Sequence, residues 1–330
     1  MLRFALSRFA QALLVMAIVS LGSFFLVVFI GDPVENMLGQ EATADEKAAL
    51  RLELGLERPA LMRFLSFVGL LLQGNLGVSY QFGRPVADLL LERAPATLEL
   101  VAISALLALA AGVTLGVYIA MRPNTRTSAA VMSTALLATS LPTFVTGTML
   151  VYLLAVTANV LPAFGRGETV SFGVWSTGLL TLSGLQSIIL PSITLAFFQF
   201  ALILRLVRSE VRDVMKEDFI KFARARGLPD RIILTRHILR NALLPLITVV
   251  GVQIGNLLAY SVITETVFQW PGLSKLFIDA VQFADVPVLS AYFLMVAMLF
   301  VTINFTIDII YMLIDPRVRA GALPTAQRAG

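Results

Sequence analysis

Residues 205–245 read RLVRSEVRDVMKEDFIKFARARGLPDRIILTRHILRNALLP. Arg205, Arg208, Arg212, Lys216, Lys221, Arg224, Arg226, Arg231, Arg236 and Arg240 make up ten of the chain's 25 basic residues. Strongly apolar runs flank the stretch on both sides. An Arg or Lys at the centre of a bilayer costs about 2.5–3.5 kcal/mol, so this segment does not cross one. It lies in water, and the positive-inside bias assigns it to the cytoplasm. The plainest account of such a cluster beside an apolar run is topological, and the rest of the chain is oriented from it.

Composition agrees. Of 330 residues, 58% are hydrophobic and 14% charged, and the mean hydropathy is +0.85. A soluble domain is nearer a quarter charged, so the chain reads as an all-α, polytopic membrane protein. With no cysteine there is no disulfide or thiolate metal site. His237 is the single histidine, which argues against a histidine-based metal site or catalytic triad. The net charge of +4 gathers at membrane edges and does not point to nucleic acid. Lys47, Lys216, Lys221 and Lys275 are the four lysines, and none precedes Ser or Thr. A phosphate-cradling loop ending in Lys-Ser or Lys-Thr is therefore absent. No residue is a candidate for catalysis or metal ligation, and the chain reads as a non-enzyme.

The hydropathy pattern predicts six transmembrane helices. Arg3 and Arg8 precede an apolar run from Phe9 to Ile30, long enough to span and lacking a small-x-small cleavage site after it. Residues 1–30 are read as the cytoplasmic N-terminal end and a retained first span. Residues 31–96 are read as an external helical region. There Thr43-Ala44-Asp45-Glu46 has the form of a capping box, starting a helix that stops at Gly55. Pro59 opens a second helix, with Leu61, Phe64, Leu65, Val68, Leu71 and Leu72 on one apolar face. Its periodicity is compatible with lying on the membrane surface or packing on protein. Gly74-Asn75-Leu76-Gly77 ends it.

Residues 97–314 are read as a five-span core. Its spans run at about 97–121, 128–157, 188–207, 241–263 and 288–314. Pro142 is expected to kink or break the second of these. Pro191 is expected in the first turn of the next, where proline is tolerated. Residues 315–330 form a cytoplasmic tail. With these spans, 17 basic residues fall inside and eight outside, so both termini are cytoplasmic.

Few ionisable groups fall in the spans. Asp308 lies in the last one, and Glu99 and Glu265 lie near external ends. Gln199, Gln253, Asn256 and Asn304 are read as interhelical hydrogen-bonding groups or as the lining of a hydrophilic path. Asp308 is the one candidate for an ion-coupling carboxylate, and a packing or salt-bridge role competes with it.

The cytoplasmic loop, about 209–240, carries structure of its own. Glu217 to Arg226 fits one short amphipathic helix, with Phe219, Phe222 and Ala223 on one face and Lys221, Arg224 and Arg226 elsewhere. Gly227 suits a left-handed cap, and Pro229 opens the next helix. Both a cleft on a protein partner and an anionic lipid surface fit such an element.

Several motifs, in their order and spacing, resemble one family. They are Gly74-Asn75-Leu76-Gly77-Val78-Ser79, Pro95-Ala96-Thr97-Leu98-Glu99-Leu100, Leu161-Pro162-Ala163-Phe164-Gly165 and Ile189-Leu190-Pro191-Ser192. Ala223-Arg224-Ala225-Arg226-Gly227-Leu228 follows, then the run from Arg236 to Pro245, Glu265-Thr266-Val267-Phe268-Gln269-Trp270-Pro271-Gly272-Leu273, and Asp308-Ile309-Ile310-Tyr311 with Asp315-Pro316-Arg317. Across nearly the whole chain they resemble the permease subunit of dipeptide/oligopeptide ABC importers, with the type I importer permease fold.

The resemblance implies a cell (inner) membrane protein that forms half of a translocation path. Its implied partners are a second homologous permease, two ATP-binding subunits that hold the ATP and Mg, an extracytoplasmic substrate-binding protein, and membrane lipid. No cofactor is implied on this chain. Phe219, Lys221, Phe222, Ala223, Arg224, Ala225, Arg226 and Gly227 become the coupling helix that docks an ATPase. Lys221 stands where the general importer loop has Glu, Asn75 where Asp is common, and Phe164 where a smaller residue is common. Pro245 lies 18 residues beyond Gly227. The alternatives are the same machinery importing nickel chelates, glutathione or opine-like solutes, and a stand-alone carrier coupled through Asp308.

Overall fold

The computed structural model describes residues 2–29, 34, 43–53 and 57–314. Among them, five helices are long and apolar enough to cross a membrane, and a sixth span is formed if one sharply bent pair counts as a single crossing.

Helix α1 (Leu2–Phe29) lies against the last helix, α12 (Val286–Ile314). Ser23 and Ser290 meet at the contact, each hydroxyl facing the other's carbonyl at 3.5 and 3.4 Å. The capping box forms at the start of α2 (Ala44–Glu53): the Thr43 N–H donates to Glu46 Oε2 (2.9 Å), and the Glu46 N–H approaches Thr43 Oγ1 (3.4 Å). The predicted stop at Gly55 lies outside the described residues. In α3 (Ala60–Leu72), Phe64 and Phe67 pack on Phe24 of α1, while Leu61, Met62, Leu65 and Leu72 stay exposed. Its half-buried face is therefore turned from the predicted one, and it follows the rings that meet α1.

The centre of the bundle is the pairing of α4 (Val86–Met121) with α7 (Leu182–Val214). Along α4, Ser104, Ala108, Gly112, Gly116 and Ala120 recur every fourth residue, and all are buried. Small side chains at that interval let two helix backbones approach closely, as membrane helices do when packing and not water expulsion drives association. A Cβ on Gly112 would stand 2.7 Å from Ile203 Cγ2, and one on Gly116 would stand 2.9 Å from Val207 Cβ. Glycines serve α10 (Leu244–Val267) and α12 likewise: a Cβ on Gly251 would meet Ile307 at 2.7 Å.

Two boundaries differ from expectation. Helix α4 begins at Val86, 11 residues before the expected span, and runs through Pro95. Helix α7 begins at Leu182, where Thr181 Oγ1 accepts from the Gly184 N–H (3.1 Å), so Pro191 sits inside the helix and not in its first turn. Membrane helices tolerate internal proline where neighbours re-satisfy the freed carbonyls. The predicted break at Pro142 is a full one. Helices α5 (Arg126–Ser140) and α6 (Thr143–Leu150, continued by a π-helical segment Val151–Thr157) meet at 113°. Leu141 is extended (φ −91°, ψ 131°), as the residue before proline prefers.

A short hairpin, β1 (Val170–Phe172) with β2 (Trp175–Thr177), interrupts the loop before α7. Helix α11 (Leu273–Gln282) lies between α10 and α12. The basic stretch folds as the end of α7, then α8 (Asp218–Ala225), then a helical run α9 built of Asp230–Ile232, a π-helical segment Ile233–Ile238, and Leu239–Ala242.

Candidate functional site

Helix α8 is bounded by local chemistry. Glu217 is its N-cap, and Asp218 stands in its first turn, where the helix dipole favours an anion. At the other end the Gly227 N–H bonds to Arg224 O (2.9 Å) and the Leu228 N–H to Ala223 O (3.3 Å). That pair of bonds is a Schellman motif, and it requires the positive φ that Gly227 adopts (+73°). Pro229 then caps α9.

Two side chains anchor α8. Ile220 and Ala223 are buried in a cluster with Val207 and Val211 of α7 and Ile233 and Ile238 of α9. Phe222 is 64% exposed and Phe219 44%. The expected face of Phe219, Phe222 and Ala223 is thus divided: Ala223 points inward with Ile220, and both rings point out. Helical positions 100° apart explain this: around the axis Ile220 and Ala223 stand about 60° apart on one side, and Phe219 and Phe222 about 60° apart next to them on the other.

Lys221 pairs with Asp218 at 2.8 Å, with both side chains in solvent. The ammonium holds the Asp218 carboxyl below its ordinary range, and the carboxylate raises the Lys221 pKa. The Arg226 guanidinium lies 5.7 Å from the centre of the Phe222 ring. Arg224 and Ala225 are exposed. All eight predicted residues thus fall on one short helix and its cap. They present two rings edged by cations, over a base packed on α9 and in one cluster with the end of α7. Arg205, Arg208 and Arg212 of α7, with Lys216 just beyond its end, line a groove of about 520 Å³.

The opposite end of the bundle is built around three buried carboxylates. Glu99 on α4 accepts from Arg166 Nη2 at 2.7 Å, and both side chains are almost fully buried. Arg166 also reaches Ser176 O (2.6 Å) and Ser176 Oγ (3.1 Å), so this pair pins the hairpin to α4. Glu265 on α10 accepts from Thr97 Oγ1 (2.6 Å) and from the Lys275 N–H in the first turn of α11 (3.0 Å). Thr97 Oγ1 in turn accepts from the Leu273 N–H (2.8 Å). The Trp270 indole donates to Ala96 O (3.0 Å). A Cβ on Gly272 would lie 2.5 Å from the Glu265 carboxyl, so that approach needs glycine. Asp285 accepts from the Ser79 hydroxyl and the Gln81 N–H. Burial, and then the Asp285 charge, pushes the nearby Tyr80 pKa up.

Sequence reasoning missed these partnerships, although it quoted most of the residues. Thr97 and Glu265 are 168 positions apart. Polar residues kept among apolar ones were the available signal.

The amides divide. Gln199 bonds across helices to Gln253 O (2.8 Å), whereas Asn304 bonds to Phe300 O of its own helix (2.8 Å). The Asp308 side chain lies outside the described residues. Among the described residues, no group of three or more His, Asp or Glu is arranged to hold a metal.

A family model described as "Binding-protein-dependent transport system inner membrane component" matches residues 112–320, and its N-terminal companion matches residues 1–101. The chain is 34% identical over 336 residues to the dipeptide transport system permease protein DppB of Escherichia coli (strain K12), covering 97% of this chain and 99% of that one. It is 38% identical over 315 residues to the di/tripeptide transport system permease protein DppB of Pseudomonas aeruginosa (strain UCBPP-PA14), covering 91% and 94%. Among solved structures, an inward-facing form of the MetNI methionine ABC transporter superposes with a TM-score of 0.54 at 18% identity, over 69% of this chain and 96% of that one. That likeness concerns the fold.

Proposed function

This chain belongs to the family of binding-protein-dependent transport system inner membrane components, and from that premise we propose that α8 is where an ATPase subunit grips it. The protein is the membrane permease subunit of a peptide-type ABC importer and not itself an enzyme. Such systems combine permease, ATPase and binding protein. Membership sets aside the stand-alone carrier.

The observation that carries the proposal is the division of α8 into an anchored and a free face. Ile220 and Ala223 fix it to the ends of α7 and α9, while Phe219 and Phe222 project. Exposed rings edged by cations are the chemistry of a binding hot spot. A force on those rings passes through Ile220 to Val207 and Val211. From there the glycine-tight contact of α7 with α4 carries it into the bundle.

In our scheme this chain pairs with a second homologous permease over two ATP-binding subunits. ATP binding draws the two ATPases together, and α8 follows and opens the path outward. Hydrolysis, with its Mg on the partner chains, resets it. The basic end then faces the cytoplasm with both termini. The carboxylate end, the preceding loop region and the Trp270 turn face outward toward the binding protein.

The test is Phe222→Ala in the assembled importer. Loss of a hot-spot ring predicts a drop of about tenfold or more in ATPase co-purification, with normal insertion of the subunit. Unchanged ATPase retention and peptide uptake would remove α8 from the coupling role.

A further inference from the structure

The groove at the end of α7 holds more positive charge than its own acids answer. Arg205, Arg208, Arg212 and Lys216 line it with Met132 of α5, and Asp213 is the one acid among its lining residues. Lys216 takes up Asp213 at 3.0 Å. Among the described residues, no acid forms an ion pair with Arg205, Arg208 or Arg212. Arg205 Nε donates to Ala201 O (3.3 Å), and Arg208 Nη1 lies 3.8 Å from Met132 Sδ. A guanidinium carries five N–H donors, so most of these donors stay available.

Two features go beyond what topology asks. The positive-inside bias needs basic residues at a membrane edge, on any face of a helix. Here the three arginines stand within about 60° of one another around the axis and span about 10 Å along it. Val207 and Val211, between them in sequence, turn to the core instead. The second feature is depth. Leu182 to Leu204 is a run of 23 residues without a charge, about 34 Å of helix, enough to cross the hydrocarbon core. Arg205 is the first charge after it, so the groove opens at the level of the headgroups. One turn along α5 from Met132, toward the membrane, Leu136 is exposed on the same face.

Unanswered guanidiniums at headgroup depth, beside an apolar wall, match one kind of molecule. We propose that the groove between α5 and the end of α7 holds the phosphate of an anionic phospholipid. Arg205, Arg208 and Arg212 donate to the phosphate oxygens, a pairing that suits the guanidinium fork, and the acyl chains run along α5 past Leu136. A zwitterionic headgroup is the poorer fit, because the same arginines repel its ammonium. The apolar wall favours a lipid over a phosphate free in water. The site needs only a membrane-spanning chain, whatever α8 grips.

Leu136→Trp places a reporter beside the groove. The assembled importer goes into phosphatidylcholine vesicles that hold a minor share of phosphatidylglycerol with brominated acyl chains, which quench tryptophan on contact. The signal is the difference from the importer without the added tryptophan. At this reporter, brominated phosphatidylglycerol should be preferred over brominated phosphatidylcholine about a hundredfold, and Arg208→Gln with Arg212→Gln should cut that preference about thirtyfold, counting each arginine alike. Arg231→Gln with Arg236→Gln removes the same charge from α9 and should leave the preference as it was.

Equal quenching by the two lipids overturns the site. So do equal losses in the two double variants, which would mean diffuse attraction to a basic surface. No quenching by either lipid would mean that protein covers this face. A preference abolished by inorganic phosphate in solution would give the groove to a water-soluble anion and overturn the lipid. If Leu136→Trp fails to assemble, its exposed neighbour Leu137→Trp takes its place. If the arginine variant fails, the two brominated lipids compared on native arginines decide alone.

Discussion

The two ends of the bundle use charge in opposite ways. At one end Glu99, Arg166, Glu265 and Asp285 are buried and bonded to groups far away in the chain. At the other, Lys216 and Lys221 pair with acids three residues away, in full contact with solvent. Buried charges with several partners lock an arrangement, because losing one partner strands the other. Exposed pairs contribute little to stability and leave their element free to bind something else. The carboxylate end is built to hold its shape, and α8 is built to be held.

Arg166→Ala is the hardest blow to this contrast. It strands the Glu99 carboxylate beneath the hairpin, and a broken buried pair costs about 3–5 kcal/mol. Thermal unfolding of the detergent-solubilised subunit should show a large loss, or no folded subunit at all. A variant as stable as the native chain would mean that the pair holds nothing. Gly272→Ala comes next. Its new Cβ would stand 2.5 Å from the Glu265 carboxyl, and overpacking of this kind costs about 1–3 kcal/mol. The same unfolding assay reads it, and an unshifted midpoint would show that the Trp270 turn gives way freely.

These two positions also show what one sequence conceals. Gly272 and Glu265 stand in one quoted motif, but only the fold reveals that the glycine is there for the carboxylate. Arg166 is the only base in the loop before α7, and its partner Glu99 is 67 residues away. By contrast the Gly227 cap of α8 and the Pro229 start of α9 were readable, because each acts on its own neighbours. The number of apolar runs was legible for the same reason. The start of α4 was not: Glu92, Arg93 and Pro95 look like the end of a polar region, and only contacts with α11 and α12 draw Val86, Leu89 and Leu90 into the core. The α5–α6 break was legible as a consequence of Pro142.

Gly227→Ala moves the test to the basic end. No atom lies within 4 Å of the added methyl, so only the φ of +73° resists it, at about 1–2 kcal/mol. That cost falls on the cap of α8. Uptake should fall a few-fold while the unfolding midpoint moves less than in Gly272→Ala. An equal loss of global stability in both variants would erase the distinction between the locked end and the presented helix.

Phe222→Ala has the smallest expected effect on stability and separates two occupants of α8. The ring is 64% exposed and outside the buried cluster, so the unfolding midpoint should shift by no more than about 0.5 kcal/mol. If α8 lay on anionic lipid, the cations would dominate, and Lys221→Gln would weaken coupling as much as Phe222→Ala, increasingly so at low salt. On a protein cleft the ring dominates. Lys221, already paired with Asp218 at 2.8 Å, is then nearly neutral to replace. ATPase retention by the two variants, at low and high salt, reads the difference. A salt-insensitive loss confined to Phe222→Ala assigns the helix to a protein, and equal, salt-sensitive losses assign it to the membrane surface.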